Sequence, residues 1–103
     1  MHPALPSCPG HAFWKRDFTG SASVFSVLFK NDISRESIVR FIDNLKLFRL
    51  GFSWGGVTSL VMRYEHLERT TPLPAGHIVR FNVGLEATND LIADLSAAWG
   101  AFR

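Results

Sequence analysis

Residues 24–30, Val24-Phe25-Ser26-Val27-Leu28-Phe29-Lys30, alternate like a strand but leave almost no polar side. Phe25, Val27 and Phe29 fall on one face, and Val24, Ser26 and Leu28 on the other. A strand of this kind needs cover on both faces, so the chain must build layers around it. At 103 residues the length suits one domain with a single core.

The remaining pattern supplies the other layers. Ser34 is placed as an N-cap with Glu36 in the first turn, and Ile38, Phe41, Ile42 and Leu45 recur at helical spacing behind it. Residues 47–50 and 59–62 read as short strands. Residues 78–83 read as a longer one, with Val79, Phe81 and Val83 facing inward and Ile78, Arg80 and Asn82 outward. Thr88 caps a final helix with Asp90 near its positive end, and Leu91, Ile92, Leu95, Trp99 and Phe102 form its expected apolar stripe. Residues 11–18 make a short helix. Residues 63–77, with Pro72, Pro74 and Gly76, are read as a loop, and the proline-rich residues 1–10 as a linker arm. The order strand, helix, three strands, helix predicts an α+β fold: a two-layer sandwich in which a small antiparallel sheet of about four strands carries its helices on one face. No internal repeat is visible.

Composition closes off several function classes. The net charge of +2 comes from 11 basic and 9 acidic residues interspersed along the chain, which leaves no basic stripe to follow a nucleic-acid backbone. Cys8 is the only cysteine, so no internal disulfide framework exists and a reducing, cytoplasmic compartment is expected. There is no uninterrupted apolar run of about 18 residues, and no charged-then-apolar leader pattern, so neither export nor a membrane span is expected. His2, His11, His66 and His77 lack the paired spacing of a zinc site, and no metal is assigned. A Cys8–His11 nucleophilic pair on the proline-rich arm lacks the rigid support that activates a thiol, and the acidic residues are read as solvated charge on helix surfaces. Nine Phe and three Trp exceed the needs of so small a core, so some are expected to face a partner.

One constellation carries chemistry. Ser53-Trp54-Gly55-Gly56-Val57-Thr58-Ser59-Leu60 places a glycine turn before a strand, and Arg80-Phe81-Asn82-Val83-Gly84-Leu85-Glu86 places an arginine inside an apolar strand. The planar arginine fork matches a carboxylate bidentately, with the Ser53 hydroxyl and nearby backbone N–H groups available to complete the cradle. On residue type alone, a strand arginine is most often just solvated, and Trp54 most often a core aromatic.

These two segments, residues 2–11 and 13–21, and the stretch running on to the final helix, almost the whole chain, resemble the C-terminal domain of the Cys/Met-metabolism family of pyridoxal-phosphate enzymes, in its beta-lyase branch. The resemblance implies that Arg80 grips the α-carboxylate of an amino-acid substrate, with Ser53 and Trp54 lining that side of the pocket. It also implies a parent enzyme that cleaves a carbon–sulfur bond by β-elimination, giving thiol, ammonia and pyruvate, and a cofactor, pyridoxal 5'-phosphate, held by a large domain that would precede residue 1. Val57-Thr58 departs from the aromatic-glutamate pair common in related turns, and Arg63-Tyr64-Glu65-His66 departs from the His-Pro segment of the gamma-type relatives. Of the lysines, Lys15, Lys30 and Lys46, none lies in the family's Schiff-base motif, so the isolated chain is expected to bind no cofactor and to be inactive alone. The implied partners are the large domain or further copies of the chain. The alternative is a free-standing interaction or oligomerisation module derived from such a domain.

Overall fold

A computed structural model of the protein describes residues 2–100 and 102. The elements in chain order are α1 (His11–Asp17), β1 (Val24–Lys30), α2 (Arg35–Asp43), β2 (Arg49–Leu50), β3 (Leu60–Tyr64), β4 (Gly76–Asn82) and α3 (Thr88–Gly100). The four strands form one sheet in the order β1-β4-β3-β2, so β4 is hydrogen-bonded on both sides. It pairs antiparallel with β1 through Phe25↔Phe81 and Val27↔Val79, and antiparallel with β3 through Val61↔Phe81 and Met62↔Arg80.

The α+β arrangement expected from the pattern is present, with one pairing that departs from it. β2 runs parallel to β3 through Arg49↔Leu60 and Leu50↔Val61. A parallel neighbour normally needs a long crossover. Here β2 has only 2 residues, so residues 51–59 have little distance to retrace before β3 begins. The expected strand at 47–50 is shortened because Leu47 and Phe48 are held elsewhere, as described below. The expected loop at 63–77 is trimmed at both ends, since Arg63 and Tyr64 extend β3 while Gly76 and His77 open β4. Cross-strand pairing overrides the polar composition of those residues.

One sheet face packs against α2 and α3. Phe29, Val61, Val79 and Phe81 from the sheet share a buried cluster with Ile38, Phe41, Ile42, Phe48, Leu91 and Ala98, and Phe25, Val27 and Leu95 pack at its margin. α2 starts as its sequence dictates: Ser34 Oγ accepts from Ser37 N–H at 3.1 Å, and Ile38, Phe41 and Ile42 face inward. The other face of the sheet carries Val24, Leu28, Leu60, Met62, Tyr64 and Ile78, all only half-buried. No helix among the described residues is long and apolar enough to cross a membrane. Residues 2–11 turn three times in succession, with Leu5, Cys8 and His11 N–H donating to the carbonyls of His2, Leu5 and Cys8.

α3 departs from its expected stripe. Leu91 is buried, Leu95 and Phe102 pack against the core, and the half-exposed Trp99 ring lies against Phe29 and Phe41, but Ile92 is more than half exposed and Asp94 is buried. Asp94 is the reason. Its carboxylate accepts from the backbone N–H of Lys46 and Leu47 at 2.8 Å each and of Phe48 at 3.3 Å. It therefore pins the segment after α2 onto α3 and draws that side of the helix inward. Asp94 is no solvated surface charge, contrary to the sequence expectation. Removing it leaves three backbone donors without it, of which the Phe48 N–H is buried and that of Leu47 half-buried, and hydrogen bonds to a charged group are worth about 1.5–3 kcal/mol each. Asp94→Ala should lower the unfolding free energy by about 2–4 kcal/mol in urea titration. A loss below about 0.5 kcal/mol would show that other contacts hold residues 46–48.

Candidate functional site

Arg80 sits in the middle of β4, between Val79 and Phe81, which are 0% and 4% exposed on the helix side. Alternation turns Arg80 to the opposite face, as the pattern predicts, opposite Met62 on β3 and Ser26 on β1. Its Nη2 donates to the carbonyl oxygen of Phe52 and to that of Ser53 at 3.3 Å, and its guanidinium carbon lies 5.6 Å from the centroid of the Tyr64 ring. Among the described residues no carboxylate forms an ion pair with it, whereas Arg16, Arg35 and Arg63 each meet one. Arg80 is thus held by neutral groups and keeps its charge available.

The turn that supplies those carbonyls has no ladder of its own, and side chains from β4 and the segment after it hold it. Gly55 takes a φ of +76°, a left-handed conformation that suits glycine. Its N–H donates to Asn82 Oδ1 at 2.8 Å, and Ser23 Oγ donates to the same oxygen at 3.2 Å. Asn82 Nδ2 donates to the Thr58 carbonyl at 3.4 Å, so this buried amide clasps the turn from both ends. Glu86 completes the fastening. Its two carboxylate oxygens accept from Ser59 N–H and Ser59 Oγ–H at 2.8 Å each, while Ser59 Oγ accepts from Gly84 N–H at 2.8 Å. Leu85 N–H donates to the Val57 carbonyl at 2.8 Å.

Gly84 is required by this packing and not by its φ. A Cβ there would stand 2.3 Å from the Val57 carbonyl oxygen and 2.7 Å from Ser59 N. The Gly-Leu-Glu sequence that follows Arg80 by a few residues therefore has a mechanical meaning: the glycine permits close approach, and the glutamate ties down the strand start.

The structure brings Arg80 and Ser53 together, although through the Ser53 carbonyl, with the hydroxyl making no bond to Arg80. Trp54 is 64% exposed, so it is not a core aromatic, and Phe52 and Val57 beside it are also exposed. Sequence reasoning missed Asn82, Ser59, Glu86 and Tyr64. The first three had a signal, because each is a polar residue inside or adjoining the quoted motifs. Tyr64 had none, since it fell in a stretch read as loop.

Glu86 is held below its ordinary pKa of 4.5, chiefly by the Ser59 backbone N–H, with the Ser59 hydroxyl adding to it. A folded-state value below the unfolded one adds stability that is complete above about pH 4.5 and disappears as acid titrates the folded carboxylate. Glu65 behaves likewise, lowered to about 2 by Arg35 and Arg63. Glu86→Gln should therefore flatten part of the fall in urea midpoint between about pH 4.5 and the folded-state titration, with the Glu65 part remaining. An unchanged pH profile would mean that the carboxylate charge does not secure the turn.

The model of the Cys/Met metabolism PLP-dependent enzyme family matches residues 1–100. The chain is 43% identical over 104 residues to cystathionine beta-lyase MetC of Escherichia coli (strain K12), covering 95% of this chain and 26% of that protein. It is 35% identical to the L-alanine/L-glutamate racemase of Wolbachia pipientis wMel, again over 95% of this chain and 25% of the relative. Among solved structures, cystathionine gamma synthase from Xanthomonas oryzae pv. oryzae in complex with cystathionine superposes with a TM-score of 0.80 at 26% identity, covering 98% of this chain and 28% of that one. The chain thus spans about a quarter of the length of the curated relatives it matches.

Proposed function

The chain belongs to the Cys/Met metabolism PLP-dependent enzyme family, and from that premise we propose that it is the small C-terminal domain of a cystathionine beta-lyase-like enzyme, the part that binds the substrate's α-carboxylate. The observation that carries this reading is the half-buried Arg80, its guanidinium set beside the Ser53–Trp54 turn by two backbone carbonyls with no counter-ion among the described residues. Neutral partners fix its position without consuming its charge. A carboxylate arriving in the plane of the guanidinium gains charge-assisted hydrogen bonds from the Nε and Nη1 N–H groups that the turn does not engage. Holding the amino acid in that way places its Cα for reaction, a proximity effect worth several powers of ten in rate. Trp54, exposed at the tip of the turn, supplies an apolar wall once a further protein layer covers it.

We assign pyridoxal phosphate to the remainder of the enzyme because the residues of this chain do not fit it. Lys15, Lys30 and Lys46 are all exposed. Lys30 pairs with Gly76, at the far end of β4 from the motif that follows Arg80. Helix α2, capped by Ser34, and helix α3, beginning at Thr88, have no glycine-rich phosphate cradle at their starts. Carbon–sulfur cleavage is therefore chemistry of the parent, and this chain contributes binding and orientation. The half-buried apolar residues on the open sheet face, with exposed Phe52, Trp54 and Val57, are the surface on which the rest of the enzyme would dock.

The same exposed residues support a second reading, a module that pairs with copies of itself. Sedimentation of the isolated chain should then show self-association, and a monomer at high concentration would count against that reading.

The carboxylate reading is tested by replacing the matching quarter of the Escherichia coli relative with this chain. The hybrid should release thiol and pyruvate from cystathionine, while the isolated chain turns over none. Arg80→Ala in the hybrid should lower kcat/KM by about 10- to 100-fold, and Arg80→Lys should recover only part, because an ammonium lacks the fork. An active hybrid indifferent to Arg80→Ala would end the proposal.

A further inference from the structure

We infer that Tyr64 is a positioning residue for the Arg80 guanidinium and thereby sets how firmly this chain holds a carboxylate; the second half rests on the binding reading above. Tyr64 ends β3 on the same sheet face as Arg80. Met62 stands directly opposite Arg80 and Tyr64 opposite Ile78, so the tyrosine reaches the arginine diagonally across the strand pair. The Arg80 Cζ lies over the Tyr64 ring, 5.6 Å from its centroid, a separation at which the ring's negative face attracts a cation.

Two kinds of anchor then act on one planar group. The Phe52 and Ser53 carbonyls hold a single nitrogen, Nη2, at the edge of the fork. Alone they leave the plane free to tilt about that corner. The ring acts on the face, where it restrains tilt. A carboxylate approaches a guanidinium in its plane, along the N–H directions. The ring therefore does not compete with the ligand, and the N–H groups not used on the turn remain open to it. An acidic residue in the place of Tyr64 would hold the arginine equally well and quench the site, whereas an aromatic restrains it and leaves the charge intact.

The test uses nitrogen-labelled full-length chain and the Nε–Hε resonance of Arg80. Nuclear Overhauser contacts between the Tyr64 ring protons and the Arg80 side chain are expected in the unaltered protein, with an upfield ring-current shift of Hε. Their absence overturns the positioning role without recourse to any variant. Tyr64→Phe should retain the shift, and Tyr64→Leu should lose it while the backbone amide spectrum stays in place. A shift that survives in Tyr64→Leu refutes the inference. L-Alanine is then titrated into each protein, with its concentration at half-saturation read from the same resonance. Tyr64→Leu should raise it by about two- to fivefold and Tyr64→Phe should leave it nearly unchanged. Equal values in Tyr64→Leu and the parent refute the effect on affinity. Should no resonance of Arg80 respond to L-alanine in the unaltered chain, the carboxylate reading fails and the affinity half falls with it, while the ring-current result still decides the positioning half.

Discussion

The structure depends on the two-residue period of β4. Val79 and Phe81 point into the helical layer, while Arg80 and Asn82 point to the other side, and neighbouring strands bond β4 along both edges. Burial of a valine or phenylalanine side chain is worth about 1.5–3 kcal/mol. A slip of one residue would forfeit that for both and drive a guanidinium into the apolar layer. Core packing thereby sets the register, and the register sets where the charge stands. The aromatic contacts strengthen the lock, since Phe81 stacks on Phe25 across β1 and meets Phe48 edge-on.

A second layer of constraint converts that register into a shaped turn. Between Gly51, whose N–H donates to the Val61 carbonyl, and Ser59 the chain belongs to no strand, and several of its backbone groups find bonds on side chains fixed by β4 and the segment leaving it. Asn82 and Glu86 are spaced so that one clasps Gly55 and Thr58 and the other clasps Ser59. Ser59 is fully buried and both donates to Glu86 and accepts from Gly84. A buried hydroxyl with each capacity satisfied stiffens its surroundings, because any displacement exposes an unpaired group at a cost of about 1–3 kcal/mol. The carbonyls of Phe52 and Ser53 are presented to Arg80 from that stiff base.

Much of this was legible in the sequence, and what was not shares one physical cause. β1 and α2 were readable because their signals are local: alternation in the first, and a cap with helical apolar spacing in the second. Arg80 was correctly turned away from the core for the same reason. Asp94 was not readable, since a lone aspartate on a helix looks solvated and its partners lie 46 to 48 residues earlier. The same long-range bond gave Asp94 a buried place on α3 that the apolar stripe did not include, and it removed Leu47 and Phe48 from the expected strand. Tyr64 and Gly76 were assigned to a loop on composition, and only pairing with β4 and β1 recruits them. The parallel direction of β2 follows from a short return path that no residue pattern announces.

What distinguishes Arg80 from the arginines that meet a carboxylate is the nature of its partners. Arg16 meets Asp17, and Arg35 and Arg63 converge on Glu65, so those charges are spent within the molecule. The exposed pairs, Arg16–Asp17 and Arg35–Glu65, are each worth at most about 1 kcal/mol. Arg80 has two carbonyls and an aromatic ring instead. Carbonyl dipoles and a ring quadrupole favour a cation without cancelling its net charge, so the field beyond the fork stays positive. Restraint without neutralisation fits the proposal that a ligand brings the negative charge, with the turn, the ring and the clasping side chains holding the guanidinium for it.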